Sequence, residues 1–480
     1  MRNIRNLKDP TVWTKWMHHH LRFLLIIIIL LSLFATAQVT AELTKVSCSS
    51  GGSTTMTCDC NNYDQPMVLP FLHGDVSLVE IRHCPDLTVE SNCLGDTIGL
   101  RKVTFTQVGK LVLRQSALSV PRYASNKALI VEFEQTNIKL IESHAITGNI
   151  EEISFVGGRI DEMKPFGFTT TKNSAILLKM DGVTIQHIES QAFKKFAVEQ
   201  MSIANCQFLS DVPTRAFYEL EVLNELSLRG NHFHQEVHSH ALSFKLVSKL
   251  SLSENQFVAV DGEWLEAQIR DAITLRGNDF GATSEIAFRS LTVHRSYQLS
   301  ERLELRFHNN TLRSSRPGAD PKANDDEPGT QAQPLRFDER FALSIRELRY
   351  DNPWSCDQLD RNVEPPLPKA EFFRVHSDQL MFQPPGQQSD RQQQQQAPPL
   401  MPLRLLISDQ CREQSYMAYI VAGSVLLGLL LLLLILGICW RIVQRRRRRK
   451  LDVVQPEPRT YKETQIVYQI ENAGLLKTDL

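Results

Sequence analysis

Four imidazoles fall within nine residues, His232, His234, His238 and His240, with Glu236 among them. Neutral imidazole is a common ligand of zinc and copper and titrates near physiological pH. His232 and His234 flank Phe233, which the local pattern turns inward, so both are expected on an exposed loop. The plain expectation is a solvated polar loop; the sharper one is weak zinc or copper binding. His18, His19 and His20 lie in a leader and are not expected to hold metal. Other chemistry is thin. The chain carries no phosphate-cradling loop, nucleophile elbow or His-Glu-x-x-His pair. Neither an enzyme activity nor a cofactor is expected, and the remaining reactive groups are nine cysteines.

A repeated element must position these side chains. The phrase apolar-x-apolar-x-x-polar is clearest in LSLRGNHF from Leu226, LSLSENQF from Leu250 and ITLRGNDF from Ile273. Extended outward, its first apolar residue falls at Val79, Val103, Val131, Ile153, Ile176, Met201, Leu226, Leu250, Ile273 and Leu303, at steps of 22 to 30 residues. A period in that range marks a solenoid. A later apolar residue and an Ala-Phe pair follow the phrase, as in Ile188 with Ala192-Phe193, Val212 with Ala216-Phe217 and Ile141 with Ala145-Ile146. The period-2 pair predicts a short strand, and stacking the copies predicts a parallel sheet that no single repeat could bury alone. Five places after the first apolar residue, Asn231, Asn255 and Asn278 are expected to satisfy loop backbone groups as a structural ladder.

This pattern resembles the leucine-rich repeat family, L-x-x-L-x-L-x-x-N/C-x-L. The match is close over Met201 to Phe280. Before it, Asp181, Gly158, Thr136 and Val108 stand in the Asn place, and the last repeat puts His308 there beside Asn309. With flanking caps the resemblance covers residues 45 to 411. It implies an α/β repeat solenoid, a horseshoe with a parallel β-sheet on its concave face and disulfide-containing caps. Asn352-Pro353-Trp354-Ser355-Cys356-Asp357 looks like the opening of the C-terminal cap of extracellular members, with Gln358 where a second Cys completes that motif. Cys48 to Cys60 resembles the N-terminal cap.

Under this phase Cys206 falls on the ladder position, where the family admits a buried reduced Cys. Cys84 falls there too, and is either a ladder residue or the partner of Cys93. With both on the ladder, Cys48, Cys58, Cys60, Cys93, Cys356 and Cys411 remain as disulfide candidates for a secreted segment. Cys411 either bridges to Cys356 or joins two chains.

Residues between the two buried apolar positions point to solvent. They are Ser154, Leu177, Ser202, Ser227, Ser251 and Thr274, with Glu132 and Glu304 toward the ends. Arg229, Arg276 and Arg306 follow the second apolar position. The ligand-face candidates are Ser202, Ser227, Arg229, Ser251, Thr274 and Arg276. Asn309-Asn310-Thr311 is a glycosylation sequon at Asn309.

Phe23 to Phe34 is a short apolar run with basic residues before it and Ala35-Thr36-Ala37 after it, the form of a cleaved signal peptide, with an uncleaved anchor as the alternative. Ala418 to Trp440 holds 23 uncharged residues, about 35 Å of helix, enough to span a bilayer. Arg441, Arg445 to Arg449 and Lys450 follow it and hold the C-terminus in the cytoplasm. The net charge of -1 hides an acidic middle flanked by basic ends, which argues against a nucleic-acid footprint on the repeats. The expected organisation is a signal peptide at 1–37, an N-terminal Cys-rich cap at 38–78 and about ten repeats at 79–311. A disordered insertion at 312–335 follows, then a C-terminal cap with a Gln/Pro-rich stalk at 336–411. The membrane helix is 418–440 and the tail 441–480.

The tail holds two address signals. Thr478 and Leu480 match a C-terminal PDZ ligand, and Glu471, Leu475 and Leu476 resemble an acidic dileucine sorting signal. The expectation is a single-pass type I plasma-membrane recognition or adhesion protein. Its ectodomain binds an extracellular protein and its tail a PDZ scaffold or sorting machinery. The alternative is a co-receptor that regulates a neighbouring receptor in the same membrane.

Overall fold

The computed structural model of the 480-residue chain describes residues 44–45, 47–50, 54–61, 65–120, 128–168, 176–296, 302–313, 335–353, 368–383 and 400–451. It divides into two units, Met1–Arg404 and Leu405–Leu480. The first is a parallel β-solenoid of stacked coils. One sheet runs from the N-terminal hairpin of Cys48–Ser50 and Thr55–Asp59 through one strand per coil to Phe341–Arg346.

Cα register aligns Val79, Val103, Val131, Ile153, Leu178, Met201, Leu226, Leu250, Ile273, Leu305 and Leu343 as one column. The predicted phase therefore holds except in two coils, where Leu178 replaces Ile176 and Leu305 replaces Leu303. Those strands, Ile176–Asp181 and Leu303–His308, each carry three alternating buried apolar residues. An apolar pair alone fits either of two registers there. The turn decides. Four places after each aligned apolar residue the backbone adopts positive φ: His83, Gln107, Gln135, Gly157, Gly182, Asn205, Gly230, Glu254, Gly277, Asn309 and Glu347, between +46° and +68°. Only the Leu178 and Leu305 phases place Gly182 and Asn309 there, residue types that accept the left-handed region at little cost. From His83 to Asn309 each of these amides donates to a carbonyl of the next coil, His83 N to Thr106 O at one end and Asn309 N to Arg346 O at the other.

The α/β expectation is corrected. No helix occurs in the repeats among the described residues. The return segments instead form a second parallel sheet, in which Asn137–Ile141, Arg159–Met163, Thr184–Ile188, Gln207–Phe208, His232–Val237 and Gln256–Val260 are successive neighbours. The physical reason is periodicity. Segments such as NIKLI and TIQHI are β-branched with inward positions three apart in a run of five, too short and too branched to make a helical turn competitive. Leu348 opens the second-sheet strand Leu348–Pro353 of a further coil, within the stretch assigned to the C-terminal cap.

Between the sheets, aromatic rings stack coil upon coil. Phe105, Phe133 and Phe155 have centroids 5.1 and 4.8 Å apart. Phe208, Phe233 and Phe257 repeat at 4.5 Å, and Phe168, Phe193 and Phe217 at 4.6 Å. Offset stacking of buried rings adds to their burial, and it makes each coil the template for the next.

In the second unit one helix, Arg412–Leu451, contains the stretch Tyr419–Arg447, long and apolar enough to cross a membrane. The leader at 1–37, residues 314–334, residues 384–399 and the tail from residue 452 lie outside the described residues.

Candidate binding face

The outward face of the first sheet collects the predicted ligand residues. Ser202, Ser227, Ser251 and Thr274 are direct register partners on four adjacent strands, and Arg229, Ser253 and Arg276 form the parallel column two residues on. The serines and Thr274 are half-buried; Arg229 and Arg276 are exposed. All six expected positions thus share one face. The two phase shifts correct their continuation. Lys179 and Arg306 occupy the serine column where Leu177 and Glu304 were expected, and His308 joins the column of Arg229 and Arg276 rather than the ladder. Arg346 extends that column by one more strand. The residue pattern had not placed Arg346 on the face, because its coil lies beyond the insertion; the alternation of FALSIR was the available signal.

Charge is distributed unevenly along the face. Toward the N-terminal end it is neutralised in pairs, Arg82 with Glu80 at 2.6 Å and Lys102 with Glu132 at 2.6 Å. Further along, Arg229 lies 3.7 Å from Glu254 and Arg306 2.8 Å from Glu304. Arg276 and Arg346 enter no ion pair among the described residues. The His308 imidazole is held below its usual value, first by partial burial and then by the guanidiniums of Arg346 and Arg306. Its Nε2 lies 3.3 Å from Ser344 Oγ.

The ladder sits one residue past the positive-φ position. Asn231, Asn255, Asn278 and Asn310 are buried there, with Cys206 before them. Asn255 Nδ2 donates to Leu228 O at 2.8 Å and to Asn278 Oδ1 at 2.9 Å, while its own Oδ1 accepts from the backbone N and Nδ2 of Asn231. Asn310, not His308, is the last ladder amide, and Val183 rather than Asp181 fills the place in its coil. Thr136 performs the same service with a hydroxyl: Oγ1 donates to Phe105 O at 3.1 Å and accepts from Val108 N at 3.4 Å. At Gly158 a Cβ would lie 2.2 Å from Thr136 O, so no side chain fits.

The histidines do not converge. The His232 and His234 rings are 6.3 Å apart and both residues are exposed. His240 Nδ1 lies 3.6 Å from Glu266 and His238 Nε2 3.9 Å from Asp211. Glu236, His238 and Asp261 bring three ligating atoms within 4.8 Å of one another, with Asp261 exposed. Only one imidazole takes part. On another side of the coils a polar groove is lined by Tyr218, Lys245, His240, Glu263, Glu266 and Arg289.

The cysteine assignment is corrected in two respects, the partner of Cys84 and the state of Cys93. Cys48 is bonded to Cys58, its antiparallel register partner, and Cys60 to Cys84, with Cα atoms 4.7 Å apart. Cys84 occupies the ladder position, yet Cys60 N already donates to Arg82 O, which brings the two sulfurs together. Cys93, expected in a disulfide, is free and buried. Asn92 N donates to Ser116 O as Ser116 N does to His144 O, which puts Cys93 in line with the fully buried Ala117 and Ala145. It is the small residue of its coil, and burial pushes its thiol up to about 12. Cys206 is also free and buried, as expected, with its thiol pushed up to about 11 by burial. Cys356 and the side chain of Cys411 lie outside the described residues, as do Glu471, Leu475, Leu476, Thr478 and Leu480.

Asn309 is exposed at the edge of the face, while Asn310 beside it is buried. Comparison of the chain with protein-family models, with curated proteins and with solved structures finds no match.

Proposed function

We propose that the chain is a cell-surface recognition or adhesion protein of the leucine-rich repeat type, anchored once in the plasma membrane with its solenoid outside. The outward sheet face, centred on Ser202, Ser227, Arg229, Ser251, Thr274 and Arg276, binds an extracellular protein. The cytoplasmic tail engages a PDZ scaffold through Thr478 and Leu480 or sorting machinery through Glu471, Leu475 and Leu476. The observation that carries this reading is the register of Ser202, Ser227, Ser251 and Thr274 on adjacent strands. Such a column of small side chains leaves a broad, rigid surface open to a partner, and a rigid surface loses little entropy on binding. The apolar helix Tyr419–Arg447 and the basic run after it support the anchoring.

The test expresses the full chain in non-adherent cells. Antibody labelling of the solenoid on intact cells and aggregation of expressing cells are the expected results. Ser227→Tyr and Ser251→Tyr, which add bulk to the face without touching the core, should abolish aggregation while leaving surface labelling unchanged. Labelling only after permeabilisation would overturn the topology. Silence in aggregation with co-precipitation of a neighbouring receptor would favour the co-receptor reading.

A further inference from the structure

The C-terminal end of the outward face has a chemistry that the rest of the face lacks. Cα register places Arg276, His308 and Arg346 side by side on three adjacent strands, and Thr274, Arg306 and Ser344 in the neighbouring column. Strand spacing of about 4.8 Å sets the backbones of Arg276 and Arg346 about 10 Å apart with the imidazole between them. Like charges on facing positions of adjacent strands destabilise a sheet, and elsewhere on this face Arg82, Lys102 and Arg229 are answered by Glu80, Glu132 and Glu254. Here one carboxylate, Glu304, stands among three guanidiniums. Its own carboxyl is held low chiefly by Arg306, with contributions from His308 and Arg346. The lowered imidazole of His308 registers the same positive field from Arg346, Arg306 and Arg276, after the effect of burial.

We propose that this end of the face binds the sulfate groups of an extracellular sulfated polysaccharide. Guanidinium forks match the oxygens of a sulfate as they match those of a phosphate or carboxylate, and they desolvate more readily than ammonium groups. Thr274 and Ser344 supply hydroxyls beside them for the sugar. Two residues before Thr274, Arg306 and Ser344 stand Ala272, Glu304 and Ala342, none of them a large apolar or aromatic anchor of the kind that centres protein interfaces. That absence favours a polyanion over a protein at this end, where Thr274 and Arg276 lie at the border, whereas Ser202, Ser227, Arg229 and Ser251 remain for the protein partner. The inference rests on the reading that the solenoid faces the cell exterior.

The purified full chain in detergent micelles should bind a heparin-derived octasaccharide at 0.15 M salt, with affinity falling steeply as salt rises. The double variant Arg276→Ser/Arg346→Ser should lose at least tenfold in affinity with an unchanged thermal unfolding midpoint. Arg82→Ser, which removes a paired cation at the other end, should bind as the parent does. Chemically desulfated octasaccharide and a poly-glutamate peptide should compete at least tenfold less well. Equal affinity of the double variant, equal binding of the desulfated sugar, or equal competition by poly-glutamate would each overturn the proposal. Surface labelling on intact cells separates the two failures. A chain that binds the octasaccharide when purified but is labelled only after permeabilisation refutes the topology and leaves the site standing.

Discussion

Asn310 Oδ1 accepts hydrogen bonds from both the backbone N and the side-chain Nδ2 of Asn278, each at 3.0 Å, across 32 residues of sequence. Asn310 in turn donates through Nδ2 to Leu275 O at 2.9 Å. The same pair of links joins Asn278 to Asn255 and Asn255 to Asn231. Each amide therefore satisfies a turn of the preceding coil and is itself held by the following one. The line ends at the first coil in which the amide is missing, where Cys206 N donates to Asn231 Oδ1 at 3.0 Å and the thiol offers no comparable onward link.

Cutting this line in its middle should be costly. Asn255→Ala strands the buried N and Nδ2 of Asn231 and the carbonyl of Leu228. An unsatisfied buried polar group costs about 1–3 kcal/mol, and partial relaxation makes about 3 kcal/mol the expected total. Urea unfolding of the purified chain should show it. Thr136→Val, which removes only a hydroxyl of similar shape, should cost about 1 kcal/mol. Equal losses at the two sites would contradict the bond counts given above.

The sequon Asn309-Asn310-Thr311 divides its two asparagines between surface and core. Asn309→Gln should remove one glycan, seen as a mobility shift abolished by endoglycosidase, with unfolding unchanged within about 0.5 kcal/mol. Asn310→Gln keeps the sequon intact but puts a longer side chain into a fully buried slot. It should reduce the amount of folded protein reaching the surface several-fold. A glycan on Asn310 itself would invert the assignment.

The periodicity was legible because the apolar pair and the Asn place repeat together from Met201 to Ile273. Where a strand carries three apolar alternations, as at Ile176-Leu178-Met180 and Leu303-Leu305-Phe307, composition is silent on register and the left-handed turn residue settles it. Gly182 and Asn309 were therefore the informative letters, and neither is apolar. The return strands were missed for a related reason. The Ile-x-x-Ile spacing of TIQHI taken alone reads as one turn of helix, and its shortness, its β-branching and its pairing with the neighbouring coil make it a strand. The outward face was legible in its middle, since Ser227, Ser251 and Thr274 follow from alternation. Its basic end required knowing that Arg346 resumes the column after the insertion, a relation carried by no local pattern.

Peptide mapping without reduction should recover Cys48 joined to Cys58 and Cys60 joined to Cys84, with Cys93 and Cys206 as free thiols. Both thiols are buried and pushed up, Cys93 to about 12 and Cys206 to about 11. The thiolate is the reactive form, so neither should alkylate at pH 8 in the folded chain, and both should react once it is unfolded. Cys84→Ser leaves Cys60 without its partner and opens a link spanning 24 residues. A loss of about 2–4 kcal/mol is expected, whereas Cys93→Ala should change stability by about 1 kcal/mol, because alanine already fills that column in later coils.

The groove beside His240 should give the solenoid an acid-sensitive edge. Glu263 accepts hydrogen bonds from Ser290 Oγ and from Arg289, whose Nε lies 2.7 Å away. The Ser290 bond first, and the Arg289 guanidinium after it, hold its carboxyl below the usual range against the opposing effect of burial. The folded form thus binds this proton less readily than the unfolded chain does. The contribution of Glu263 to stability is complete above the unfolded carboxylate value, about 4.3, and is lost as pH falls through the lowered folded value. Glu263→Gln removes the titration. The parent should be the more stable at pH 7, and the gap between the two should close as the pH is taken from 5 to 3. Because the Arg289 side chain is 55% exposed, added salt should narrow the gap at pH 7. A gap that stays constant across this range would mean that Glu263 acts through shape alone, with its charge contributing nothing to the junction of the two coils that Arg289 and Ser290 join.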